Sequence, residues 1–283
     1  MRKTILFFAA SLSFLSLLAQ TVSYKVLEDN PEKAYTKFIA PEFGMESNAT
    51  DLAIFLGANA RYGISDKLTL EGAARFDVYS PNSGSPTFLV EAGGFYPLKT
   101  QIKNKEVPVI LSYNPTAGSG YKNGQRYTVE ETKSITIPSG QYKNQYGVRA
   151  GLHYRSIGAQ DDINGIAPGN INLAGLYIGG QMTSQAYVKT MINNDVERIG
   201  AGFTRIYADI FILPVTGLSD DTLAPATEGD GTFGWRVGFH WYTAPHDGDY
   251  KFLGNSILGA ELGKRPLSGF MFNITWGYAL NRS

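Results

Sequence analysis

GFMFNITWGYALNRS, residues 269–283, takes turns between large apolar side chains and small or polar ones. Phe270, Phe272, Ile274, Trp276, Tyr278 and Leu280 fall on one face of an extended chain, and Met271, Asn273, Thr275, Gly277 and Ala279 fall on the other. A period of two means a β-strand with one greasy face. Its length, close to ten residues, is what a tilted strand needs to cross a bilayer. The pattern stops three residues before the last one printed, as expected of a final strand that closes a barrel onto its first.

The same rhythm runs backwards through the chain. In LAIFLGANARYGISDKLTLEGAARFDVY, residues 52–79, Leu52, Ile54, Leu56 and Tyr62 share a face across a tight GISD turn with Leu68, Leu70, Phe76 and Val78. The opposite face carries Asn59, Arg61, Lys67, Glu71, Arg75 and Asp77, which makes a hairpin with an apolar and a polar side. A soluble sandwich shows alternation too, but with strands of about five or six residues. Further runs centre on Phe88–Tyr96, Tyr146–Tyr154, Arg205–Ile212, Phe233–Trp241 and Leu258–Leu262, each with its charges away from the grease. Weaker ones lie at Lys37–Ser47, Val107–Tyr113 and Tyr127–Ile137. The expectation is an all-β, closed antiparallel transmembrane barrel of about twelve strands.

Composition agrees. The chain has 32 Gly, 17 Tyr and 16 Phe with only 18 % charged residues, a mixture that weakens helices and suits pleated surfaces. Residues 1–20, MRKTILFFAASLSFLSLLAQ, read as a secretory signal peptide, with a basic start at Arg2 and Lys3, an apolar run from Ile5 to Leu18 and a small Ala19. Residues 21–34 then form a periplasmic N-terminal segment and residues 35–283 the barrel. Without Arg2 and Lys3 there are 23 basic against 25 acidic side chains, a formal charge of −2 that excludes a nucleic-acid-binding face. Cysteine is absent, so neither a disulfide framework nor a lipid on an N-terminal Cys holds the fold. Long polar connections at SPNSGSP (80–86), NPTAGSGYKNGQ (114–125), GAQDDINGIAPGN (158–170) and GLSDDTLAPATEGDG (217–231) contrast with the short turns GISD and KRPLSG. That contrast predicts long loops at one end of the barrel and short turns at the other.

The leader ending LLAQ, the hairpin ARYGISDKLTLEGAARF and the terminal LGAELGKRPLSGFMFNITWGYAL resemble outer-membrane β-barrel proteins of Bacteroidetes type. The resemblance implies the outer membrane of a Gram-negative cell, contact with outer-membrane lipid and lipopolysaccharide, and delivery by the barrel-insertion machinery. Such barrels commonly finish on an aromatic residue, whereas Asn281, Arg282 and Ser283 follow Leu280 here; Tyr278 is the residue that would serve instead.

Catalytic constellations are scarce. His153 is followed by Ser156, which strand alternation turns to the opposite face, and no G-x-S-x-G elbow occurs. His246, Asp247 and Asp249 sit in a loop, DDING (161–165) lacks EF-hand spacing, and LGAELGKRP lacks the Ser or Thr of a phosphate loop. Neither an enzyme nor a metal or cofactor site is expected. The remaining chemistry is the lumen, predicted to be lined by Arg61, Glu71, Arg75, Asp77, Glu91, Arg149, His153, Arg155, Arg205, Asp209, Arg236, His240 and Glu261. These charges fit either a passive pore for small polar solutes or a plug of ion pairs that braces the wall. Small inward residues, Gly57, Ala73, Gly93, Gly147, Gly151, Gly234 and Gly238, favour the pore by leaving the lumen emptier. The alternative is a non-channel barrel acting as an anchor, a secretion-apparatus component or a surface-binding protein.

Overall fold

The structure is a computed structural model that describes residues 22–34, 37–48, 52–81, 87–122, 125–161, 166–218, 232–243 and 255–280. The leader, the His246 loop, most of DDING and the last three residues lie outside them. Twelve strands are described: β1 (Tyr24–Asp29), β2 (Lys37–Asn48), β3 (Leu52–Ser65), β4 (Leu68–Tyr79), β5 (Phe88–Lys122), β6 (Gln125–Asp161), β7 (Ile166–Ile192), β8 (Val196–Ile212), β9 (Val215–Leu218), β10 (Phe233–Tyr242), β11 (Ser256–Arg265) and β12 (Gly269–Tyr278).

Ten of them form a ring. Each of β2 through β7 pairs antiparallel with the next, β8 continues to β10, β11 and β12, and β12 returns to β2 through Trp276 opposite Phe43. The closing strand is therefore the one whose alternation opened the sequence reading. Closure satisfies the backbone of every wall strand without an open edge, which is what a sheet in hydrocarbon requires. The outer face is correspondingly apolar: Phe233, Ile178, Ile210 and Ile274 are exposed, at 66, 62, 58 and 53 %. On β10, Trp235 and Trp241 stand about 20 Å apart along the strand, one towards each rim. The chain is a closed antiparallel barrel of the outer-membrane type. No helix among the described residues is long and apolar enough to cross a membrane.

Both described termini lie at one end, here the terminal end, together with the β3–β4 turn. Loop lengths do not sort by end as expected. The tip of the β5–β6 hairpin projects from the terminal end, the same end as the tight GISD turn. The short KRPLSG turn sits at the opposite end, with the β4–β5 and β8–β10 connections. The reason is that Val107–Tyr113 and Tyr127–Ile137 are not separate wall strands. They continue β5 and β6 beyond the ring: pairing of β4 with β5 stops at Thr69 opposite Phe95 and pairing of β6 with β7 at Tyr142 opposite Ala186, while β5 and β6 stay paired out to Lys122 opposite Gln125. Register shifts at Pro97/Lys99 and Lys105/Val107 bend this ribbon. Pro97 and Pro108 are tolerated because β5 has lost its second neighbour there.

The bend lays the ribbon on the wall. Val107, Val109 and Ile137 pack against Ala186 and Val188 of β7, forming a small core outside the ring, and Arg198 Nε donates to the Leu111 carbonyl at 3.2 Å. Where β6 has left, β1 takes over the freed edge of β7, from Asp29 opposite Val188 to Tyr24 opposite Ile192. A 3₁₀ turn at Pro31–Lys33, capped by Asn30 Oδ1 accepting from Glu32 N–H at 3.0 Å, then carries the chain to the buried Ala34.

Candidate functional site

The interior is stacked in three layers, and β8 displays all of them along its inward face: Phe203, Arg205, Tyr207, Asp209, Phe211. Near the terminal end Phe203 joins Ala34, Phe38, Ala40, Tyr242, Ile257 and Ala279 in an apolar cluster. Towards the opposite end Phe211 joins Leu173, Tyr177 and Leu213. Between these lids lies the charge. Arg61, Glu71, Arg75, Glu91, Arg149, His153, Arg155, Arg205, Asp209, Arg236, His240 and Glu261 are all buried inside the ring, and Asp77 is part-buried, its N–H donating to the Thr87 carbonyl at 3.0 Å.

Arg236 is the hub. Its Nη1 and Nη2 donate to the two oxygens of Glu91 at 2.6 and 2.9 Å, and its Nε to Asp209 Oδ2 at 2.8 Å. Glu91 also meets His153 Nδ1 at 2.6 Å. Glu71 gathers Arg61 at 3.1 Å, Arg205 at 3.1 Å and the Gln181 amide at 3.0 Å. Arg75 bridges Glu42 at 2.9 Å and Glu261 at 3.0 Å, and Tyr207 O–H donates to Glu261. Charges this far from water survive only when paired and hydrogen-bonded, which explains why Glu71, Glu91 and Glu261 each meet two or more donors. Guanidinium groups also lie on rings, Arg149 at 4.2 Å from the Tyr207 centroid and Arg61 at 4.5 Å from that of Phe203.

Several partners escape sequence reading. Glu42 and Glu46 lie on β2, where only a weak strand is visible, although Ile39, Phe43 and Met45 already put them on the face away from the grease. Glu46 holds Arg155 at 2.9 Å and Arg265 at 2.7 Å; Arg265 belongs to the KRPLSG turn by sequence but ends β11 with its side chain inside. Tyr177 also goes unnoticed, whereas Tyr207 shares the charged face of its strand with Arg205 and Asp209 by alternation alone.

Tyr177 and Tyr207 occupy part of the space that the inward glycines were expected to leave open. Some inward glycines are floors for neighbouring side chains: a Cβ at Gly93 or Gly151 would run into Tyr177, one at Gly238 into Tyr207, and one at Gly57 would lie 3.1 Å from Arg75 Cγ. Each missing side chain makes room for a larger one to lie flat. One cavity in the charged layer, of about 20 Å3, is bounded by Glu71, Arg75, Glu91, Arg149, Tyr207 and Glu261, space for about one water.

Among the described residues no group of three or more His, Asp or Glu is placed to hold a metal ion. His153 and His240 sit within the ion-paired layer, His240 Nδ1 accepting from Arg205 Nε at 3.1 Å, and neither has a nucleophile as an observed partner.

No family model and no curated protein matches the chain. Among solved structures it is similar to OccD3 (OpdP) of Pseudomonas aeruginosa, at 7 % identity and a TM-score of 0.23 over 91 % of this chain and 93 % of that one. OmpT, an outer membrane protein of Vibrio cholerae, aligns at 11 % identity and a TM-score of 0.21 over 92 % and 99 %. A porin of Rh. blastica aligns at 8 % and 0.18 over 92 % and 100 %. Scores this low carry no argument, and the barrel rests on its own strand pairing.

Proposed function

We propose that the chain is a non-channel barrel of the Gram-negative outer membrane, an anchor whose wall is held by ion pairs and whose working surfaces are its ends. The observation that carries this reading is the packed interior: a buried layer of ion pairs between two apolar layers. Ten strands lie near the eight that side chains fill and far from the sixteen that leave a channel. The apolar belt fits contact with outer-membrane lipid and lipopolysaccharide, and insertion by the cell's barrel-insertion machinery. Both termini at one end fit a periplasmic placement of that end, so that the ribbon of β5 and β6 extends into the periplasm. The ribbon is the part built for contact, with Tyr121 and Tyr127 near its tip left exposed.

The test is electrical. Protein whose folding is verified by a mobility shift on gels before and after boiling should give no single-channel steps in a planar bilayer. Steady conductance whose ion selectivity shifts in Arg149→Glu or Arg236→Glu would restore the passive pore. Carbonate-resistant recovery in the outer-membrane fraction tests the location separately.

A further inference from the structure

We infer that a polar vestibule at the terminal end of the barrel binds a small carboxylate-bearing solute, received by Lys143. The vestibule has a volume of about 250 Å3 and is lined by Lys37, Arg61, Asp66, Lys143, Gln145 and Gln185, with Glu32 of the N-terminal turn at its side. That is room for about eight waters, or for a small organic acid in their place.

Lys143 takes its counter-charge from outside the ring. Its side chain is only 6 % exposed, and an ammonium so buried needs an anion beside it. Glu32 supplies that anion from the 3₁₀ turn at Pro31–Lys33, not from any strand of the ring. Glu32 is itself about half exposed, so this carboxylate reaches the buried cation from the solvent side. The turn is held locally, by Gln185 Nε2 donating to the Pro31 carbonyl at 3.0 Å and Asn30 N–H to the Tyr187 carbonyl at 3.0 Å. Glu32 thus occupies a cation subsite as a tethered carboxylate.

The rest of the wall shares that preference. Lys37 rests over the Tyr62 ring at 4.7 Å and, among the described residues, makes no ion pair. Arg61 is engaged by Glu71 at 3.1 Å and forms the boundary with the charged layer. With Glu32 displaced and Arg61 already paired with Glu71, Lys37 and Lys143 face the single wall acid Asp66, a balance that attracts anions. The vestibule stops at the ion-paired layer, so this inference holds whether or not the barrel conducts.

Calorimetric titration of the full chain in detergent with succinate tests it, with inorganic phosphate as the second probe. Saturable succinate binding is expected, lost in Lys143→Met and tightened on the order of tenfold in Glu32→Gln, which removes the tethered competitor and leaves Lys143 in need of an anion. Boiling-dependent gel mobility verifies folding of each variant. Should Lys143→Met not fold, Lys37→Gln is read in its place, with weakened binding expected. Absence of saturable binding in both wild type and Glu32→Gln, or unchanged affinity in the lysine variant, overturns the site. Phosphate binding as tightly as succinate overturns the carboxylate assignment.

Discussion

Along β7 one face meets two different environments. Leu176 and Ile178 are 57 and 62 % exposed on the outside of the ring, whereas Ala186 and Val188, on the same face ten residues on, are 1 and 0 % exposed. The first pair belongs to the belt that faces lipid. The second is covered by Val107, Val109 and Ile137 of the ribbon. Within the belt the protein is inside out, with grease outside and arginine within; beyond it, the same strand has a soluble protein's polarity, with grease against grease and polar groups towards water. The switch marks where hydrocarbon ends, because only there does an outward Val need a protein partner to escape water.

Breaking the inner half of that contrast should have the largest effect. Arg236→Leu strands Glu91 and Asp209 in the interior and should cost about 3 to 5 kcal/mol, seen as a lower urea midpoint for loss of the heat-modifiable gel form. A loss below about 1 kcal/mol would mean the layer is wetter than its geometry. Next is the lipid-facing half: Ile274→Arg should cost about 2 to 4 kcal/mol near mid-bilayer. Its neighbour Asn273 is fully buried between Glu46 and Glu261 in the pairing of β12. Asn273→Arg is therefore also expected to destabilise, by overpacking, where an open lumen would tolerate it.

Sharper still is a pair on β7 alone. Ile178→Asp should reduce assembly of the whole barrel, whereas Val188→Asp should release only the ribbon, read as protease cleavage within residues 105–141 of a barrel that keeps its folded gel mobility. Identical outcomes would place both residues in one environment. The smallest effect is expected from replacing residues 112–133 by a tight Asn-Gly turn, which removes the projecting ribbon but spares Val107, Val109 and Ile137. Barrel stability should change by less than about 0.5 kcal/mol in the same urea titration; a larger loss would make the ribbon part of the wall's support.

Legibility followed contrast between faces. β10 reads clearly because Trp235, Val237, Phe239 and Trp241 alternate with Gly234, Arg236, Gly238 and His240. β7 does not, since Gly180, Ser184 and Ala186 on its outer face differ little in size from Thr183 on its inner one. Val107–Tyr113 and Tyr127–Ile137 have strand periodicity, yet period alone does not say whether a strand lies in the ring or beyond it.

By itself, then, the sequence determined that the chain is built of strands, that one face of most strands is apolar, and that the last strand has the form of a closing one. Those properties are local, set by strand geometry and the alternation it imposes on neighbouring side chains. Tertiary structure alone decided how many strands close the ring, which carboxylate meets which arginine, and that the inward glycines carry Tyr177 and Tyr207 in place of water. Those depend on register between strands as far apart in the chain as Glu46 and Arg265, and on how much volume ten strands enclose, neither of which any single stretch of sequence contains.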